Sequence, residues 1–336
     1  MPETAHKPAE KTPTEVQKPI SLGSQLKLNC SEIYRNFTYK IPALALLSAI
    51  LWVPHYYASE ITSFMRMESW PMSSGFAQAT AIHVVFLLAY VIVNGLYFVA
   101  YNLNHPFFEQ YKCTNRPWPW QVSQKRWIKL RNRLIKFFAI NVGLMVPLYM
   151  PIIGYLYPLS MKTGPTEMPG FATHLFHIFV MMACEDFFFY WIHRAAHTKF
   201  LYKHVHYVHH EYIQNVSICA TYAHPLEFVF ADAFATLSGM YVCGSYCHIV
   251  TAMVFVMLRI IETSEAHSGY EFPWSITNML PFSVTSDYHD HHHHTNKGNF
   301  STFFLFWDSI CSTNNIYFKY LAKMRSGVKS STVKTE

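Results

Sequence analysis

Four stretches of this chain are apolar for long enough to cross a lipid bilayer, at about 41–58, 81–101, 137–158 and 172–192. The hydrocarbon core of a bilayer takes about 20 residues of helix but only about 10 of barrel strand. It offers no water to backbone N–H and C=O groups, so a spanning segment must satisfy them internally. The expected architecture is therefore all-α and integral to the membrane, with about four transmembrane helices. Hydrophobic residues make up 51% and charged residues 14% of the chain, against about 25% charged in an ordinary soluble domain. A fifth apolar run, 228–261, is too short for two crossings of about 20 residues each plus a turn. It is read as a helical hairpin dipping halfway into one leaflet.

Charge in the connecting loops sets the expected orientation. Residues 102–136 carry eight Lys or Arg and a single acid, Glu109, whereas 59–80 carries only Arg66 as a base. The basic loop and the N-terminus are thus expected in the cytosol. Four crossings then return the chain to the cytosolic side just before His193. Trp118, Trp120 and Trp127 among the bases suggest a segment lying in the headgroup region. The net charge of +6 comes with no nucleic-acid-binding motif, and a membrane surface accounts for it; nucleic acid is not an expected partner. The seven cysteines are scattered and form no C-x2-C pair, which fits small apolar residues in a reducing compartment. Residues 1–30 are expected to be a disordered cytosolic tail and 31–192 the membrane helices with the basic interfacial loop. Residues 193–320 are the histidine-rich catalytic region holding the hairpin, and 321–336 a basic C-terminal tail.

Fourteen of the 20 histidines fall between His193 and His294. They form the clusters His193-x3-His197, His206-x2-His209-His210 and His289-x2-His292-His293, with His267 between the last two. Residues three and four apart share a helix face, so each cluster is expected to point two or three imidazoles the same way. Eight clustered imidazoles are too many for one tetrahedral zinc but suit two ions of higher coordination number in one pocket. Buried without metal, they would leave many donors and acceptors to satisfy. Isolated histidines such as His55, His83, His105, His174, His177 and His248 read as ordinary polar residues. His291 and His294 leave the register of the last cluster open; the repeat of the His206 pattern selects His289, His292 and His293. Imidazole serves zinc, copper, iron and nickel alike. The membrane setting and the near absence of carboxylate ligands favour a pair of iron ions that bind O2. Such a neutral ligand set calls for nearby carboxylates that orient the imidazoles. Glu185, Asp186, Glu211, Glu227, Asp290 and Asp308 are placed for this, or else to cap helices or face solvent.

The stretches EDFFFYWIHRAAHTKFLYKHVHYVHHEY (185–212), TYAHPLEF (221–228), RIIETSEAHSGYEFPWSITNMLPF (259–282) and YHDHHHHTNKGNFSTFFLFWD (288–308) resemble the fatty acid hydroxylase superfamily of integral-membrane di-iron enzymes. Within it they are similar to the methylsterol monooxygenases, through YAHPLE and ETSEAHSGYEFPW. The resemblance implies a helical membrane base carrying a cytosolic helical cap, in the endoplasmic reticulum membrane. It implies metal ligands at His193, His197, His206, His209, His210, His289, His292 and His293, with His267 as a ninth, and His224 as either a ligand or a support. It further implies two iron ions, O2 as co-substrate, and stepwise oxidation of a sterol 4α-methyl group to alcohol, aldehyde and carboxylic acid. The chain has no glycine-rich dinucleotide fingerprint, so electrons from NAD(P)H must arrive through a partner. The resemblance makes that partner cytochrome b5 with its reductase, and other sterol C4-demethylation enzymes are candidate neighbours. Three alternatives remain: a sibling lipid hydroxylase, desaturase or side-chain-removing enzyme with the same core; a histidine-rich metal transporter, which should place ligands along crossing helices; and a non-catalytic lipid-binding relative, which should lack some ligands.

Overall fold

The computed structural model describes residues 20–34, 37–65, 74–148 and 160–325. Helices dominate, and the described residues contain isolated β-bridges but no strand. Four helices are long and apolar enough to cross a membrane: Phe37–Tyr56, Gly75–Leu103, Phe171–Ala196 and Pro225–Tyr246. Val91, Ile92, Leu96 and Phe98 of the second all face outward, as expected of a helix whose surroundings are as apolar as its core.

The Pro225–Tyr246 helix lies along Phe171–Ala196, and Ile249–Ala266 packs between Phe171–Ala196 and Gly75–Leu103. Small residues set these close approaches. A Cβ on Gly239 would strike the Met181 backbone, so glycine lets the two helices touch. Ala77, Ala81, Ala252 and Phe255 are almost fully buried where Gly75–Leu103 meets Ile249–Ala266.

The expected half-membrane hairpin is not confirmed: 228–261 forms two consecutive helical arms joined by a turn, and the first arm is itself long and apolar enough to cross a membrane. The arms extend from Pro225 to Tyr246 and from Ile249 to Ala266, beyond both ends of 228–261. The turn lies beside the start of Phe171–Ala196: Cys243 Sγ is 3.9 Å from the His177 carbonyl, and His174 Nδ1 is 2.9 Å from Thr251 Oγ1. The arms therefore run alongside most of that helix. The added residues, such as Glu227, Glu262 and Glu265, are polar and buried in protein, so an apolar count does not register them. The expected span 137–158 falls partly outside the described residues; its first part, Ala139–Met145, is π-helical.

Two further expectations change. Leu22–Ile33 is a helix inside the supposed disordered tail, and Asn29 Nδ2 donates to the carbonyls of Pro281 and Ser283 at 2.8 and 3.0 Å. Trp118 does not reach outward as an interfacial anchor. Its ring is fully buried against Tyr101, Trp120 and Tyr270, with Lys112 Nζ 4.0 Å from its centre. The basic loop thus folds onto the protein, and it does so at the end of the bundle where the histidines gather: Arg133 Nη1 donates to Glu211 Oε1 at 2.5 Å.

Candidate metal centre

The first histidine cluster and His267 sit at helix ends. His193 occupies the last turn of Phe171–Ala196 and His197 caps it; His267 caps Ile249–Ala266 in the same manner. His206, His209 and His210 lie on a 3-10 turn, His206–Glu211. His289, His292 and His293 lie on the Ser286–Thr295 helix, which begins with the Thr285 hydroxyl accepting from Tyr288 N–H and ends at Asn296 in the left-handed conformation.

These nine imidazoles converge in two groups, His193, His197, His206, His210 and His292 in one, and His209, His267, His289 and His293 in the other. Within each group the candidate ligand nitrogens lie within 4.8 Å of one another. Of the two or three imidazoles expected to point the same way in each cluster, two do so in each triplet. The first and last histidines of each triplet join one group, and the middle one crosses to the other. In the Ser286–Thr295 helix the reason is angular: at about 100° per residue, positions 289 and 293 lie about 40° apart, while 292 falls about 60° to the other side.

The spacing is that of donors around an ion. With nitrogens about 2.1 Å from an ion, neighbours at right angles lie about 3.0 Å apart and tetrahedral neighbours about 3.4 Å. In the first group the Nε2 atoms of His206 stand 2.9 Å from His197 and 3.0 Å from His210, and His197 to His292 is 3.2 Å. In the second, His289 stands 2.9 Å from His267 and 3.1 Å from His293, and His267 to His209 is 3.3 Å. These contacts are compatible with either angle, and it is the five imidazoles of the first group that exceed the four a tetrahedral site takes.

The outer ring nitrogens fix the tautomers. His193 Nδ1 donates to the Phe300 carbonyl at 2.9 Å, His292 Nδ1 to Gly298 at 2.6 Å, His209 Nδ1 to Tyr222 at 3.1 Å and His267 Nδ1 to Thr263 at 2.7 Å. His206 Nδ1 donates to Glu227 Oε1 at 2.6 Å. A carbonyl oxygen only accepts, so the proton sits on Nδ1 and the Nε2 lone pair faces inward. Burial lowers the pKa of every imidazole in the set outside the membrane helices, His206 to about 3, and neighbouring imidazoles push most of them further in the same direction. The rings are neutral at neutral pH and available as ligands.

Of the six candidate carboxylates, only Glu227 touches one of the nine histidines. Asp308 accepts from the N–H groups of Phe300 and Ser301 at 3.0 and 2.7 Å, and Asp186 from those of Phe303 and Phe304, both at 3.1 Å. Both therefore secure the segment whose carbonyls hold His193 and His292. Glu211 binds Arg133 and the Tyr222 hydroxyl, bracing the residue that orients His209. Glu185 pairs with Arg259. Asp290 Oδ1 is buried with no hydrogen-bond partner among the described residues, and burial pushes its carboxyl up to about 7. His224 lies outside both groups and caps the next helix, accepting from Leu226 N–H at 3.2 Å. His204, His291 and His294 also lie outside, as does Cys243-x3-Cys247-His248.

Sequence reasoning missed the four carbonyls, which every residue type carries. A signal exists in Asn296-x-Gly298-Asn299, all three at positive φ (55°, 70° and 57°). A Cβ on Gly298 would meet the Thr313 carbonyl, so this tight turn, which presents two of the carbonyls, requires glycine.

Next to the histidines lies a small cavity of about 30 Å³, touching His193, His206, His209, His267 and His289. An apolar cleft of about 140 Å³ runs from Gly75 and Tyr241 up to Thr221 and Thr263. Ala220, Asp232, Arg259 and Thr263 line both.

A family model described as fatty acid hydroxylase matches residues 178–313, which hold all nine histidines. Methylsterol monooxygenase 2-1 of Arabidopsis thaliana is 39% identical over 204 residues, 56% of this chain and 72% of that one. The chain belongs to the fatty acid hydroxylase family. Methylsterol monooxygenase 2-2 of the same plant is 40% identical over 187 residues, covering 55% of this chain and 67% of its own. Very-long-chain aldehyde decarbonylase GL1-11 of Oryza sativa subsp. japonica is 41% identical over 174 residues. That match takes in 50% of this chain, which spans 64% of the rice protein's length. No solved structure matches the chain. In this family member the histidine groups are suited to metal, and the apolar helices mark a multi-pass membrane protein.

Proposed function

We propose that this fatty acid hydroxylase family member is a di-iron oxidase of methylsterols, taking the 4α-methyl group stepwise to the carboxylic acid. The observation that carries the reading is the pairing of two imidazole groups, five and four strong, with an apolar cleft that ends beside them. The nine histidines are the proposed ligands. Two iron ions held there would supply O2 activation. Each turn consumes O2, two electrons and two protons, and forms in order the alcohol and one water, the aldehyde and two waters, and the acid and one water.

The chain's own residues supply the rest. The backbone carbonyls and Glu227 hold five of the imidazoles as inward-facing donors, so that part of the cage is organised before substrate arrives. The cleft volume of about 140 Å³ is below the roughly 300–1,000 Å³ of a pocket that encloses a whole ligand. It admits the reacting end of a lipid and leaves the remainder in the bilayer. Phe86, Phe228, Leu237 and Val256 make that entry dry. Electrons from NAD(P)H are proposed to come through cytochrome b5 and its reductase, with the exposed Lys125, Arg126 and Lys129 on the basic Gln124–Phe138 helix available to an acidic carrier. Residence in the endoplasmic reticulum membrane with the histidines facing the cytosol completes the proposal.

The test is product analysis with purified, iron-loaded protein, a 4-methylsterol and an electron donor. The 4-carboxylic acid is expected, and neither His206→Ala nor His292→Ala should form it. The rice relatives named aldehyde decarbonylases give a second reading: turnover of a long-chain aldehyde with untouched methylsterol would select it.

A further inference from the structure

Where the lipid cleft meets the histidine cavity, the chain carries more acid than its packing uses. Arg259 is buried; its Nε donates to Glu185 and its Nη1 to Glu262 Oε2 at 2.7 Å. The hydroxyls of Thr236 and Thr302 donate to the same two carboxylates at 3.1 and 3.0 Å. One cation is thus already shared by two acids. Asp232 is a third acid facing that set. It makes no hydrogen bond or ion pair with any described residue, and it lines both cavities. It lies within the π-helical turns Phe228–Phe234, a widening that re-aims side chains and is common at functional sites. An ionisable group among membrane helices is costly unless it has a use, and a carboxylate in an apolar cleft seeks a donor.

We propose that Asp232 accepts a hydrogen bond from a hydroxyl on the lipid substrate, carried by the carbon next to the one oxidised. The assignment rests on the methylsterol reading above. In a sterol the hydroxyl carbon, C3, is bonded to C4, so the group that holds this hydroxyl must stand beside the final approach to the histidines. Asp232 stands there. An ether or ketone at C3 offers no donor and would set lone pairs against the carboxylate, so the contact selects for the free alcohol.

The test is displacement of a tritiated 4-methylsterol bearing a free 3-hydroxyl from the full-length protein in detergent. The competitors are the unlabelled alcohol, its 3-O-methyl ether and its 3-ketone. Wild type is expected to prefer the alcohol about 10- to 100-fold, the range of a hydrogen bond to a charged group. In Asp232→Ala the alcohol should fall to the affinity of the ether while iron content stays unchanged. Asp232→Asn keeps an acceptor oxygen and the same volume, so it should retain part of the preference, and it decides the matter if the alanine variant does not fold. If the variants that fold keep the wild-type preference, the assignment is overturned while the methylsterol reading stands. If wild type binds none of the three sterols, the methylsterol reading fails and takes this assignment with it.

Discussion

Replacing Glu227 by glutamine should loosen one metal ion and spare the other. Glu227 Oε1 accepts from His206 Nδ1 at 2.6 Å, and His206 belongs to the five-histidine group. Adding about 2.2 Å across the ring and about 2.1 Å from nitrogen to metal puts the carboxylate about 7 Å from an ion on that side. A single negative charge and a dication at that distance attract by about 5 kcal/mol at an effective dielectric of about 20, an upper bound because part of it offsets desolvation. Removal of partners of this type costs about 10- to 100-fold in metal affinity, equivalent to about 1.4–2.8 kcal/mol. The assay is iron loading followed by chelator competition, with circular dichroism to verify the fold. Two release steps are expected in wild type; in Glu227→Gln one should shift by about 10- to 100-fold and the other stay in place. Equal loosening of both steps, or no shift in a folded variant, would refute the reasoning that ties Glu227 to one ion.

In the same assay His209→Ala should weaken the step that His206→Ala spares, although the two residues share one turn. Gly298→Ala, at φ +70° against the Thr313 carbonyl, should disturb the carbonyl that holds His292 and lower iron occupancy in the five-histidine group. Trp118→Ala removes a fully buried ring and should destabilise by about 3–5 kcal/mol, read as a lower melting temperature. In iron-stripped protein, histidines whose folded pKa is depressed, His206 to about 3, bind protons later than the unfolded chain does. Their stability is fully present above the unfolded value near 6.5 and is lost as pH falls toward the folded value. The melting temperature of the stripped protein should therefore drop steeply below about pH 6.5, and iron-loaded protein should resist the change.

The features legible in the sequence were those written in residue type and spacing. Length and apolarity mark the helices at 37–56, 75–103 and 171–196 to within a few residues, and the x3 and x2 spacings pick out eight of the nine convergent histidines, the ninth, His267, coming from the family resemblance. The pairing of those histidines was not legible, because a 40° or 60° turn about a helix axis decides which group a ring joins. Backbone carbonyls that orient the rings leave no mark of their own. Glu227 and Asp308 differ in role through what folds against them, since one faces an imidazole and the other a loop's N–H groups. The helical arms outrun the apolar stretch 228–261 because buried polar residues at their histidine end lengthen them without raising the hydropathy. Trp118 was misread because an aromatic ring among basic residues suits a lipid headgroup as well as a stack of tyrosines.

The exchange of His209 and His292 between groups makes the two ion positions a single mechanical unit. A displacement of either backbone turn therefore moves ligands of both positions at once, whereas replacing a single side chain leaves the turn, and the other position's ligands, in place. The gap between the positions is then governed by helix pitch, a rigid ruler, instead of by the softer loops around it. A one-residue insertion within either triplet should abolish both positions together.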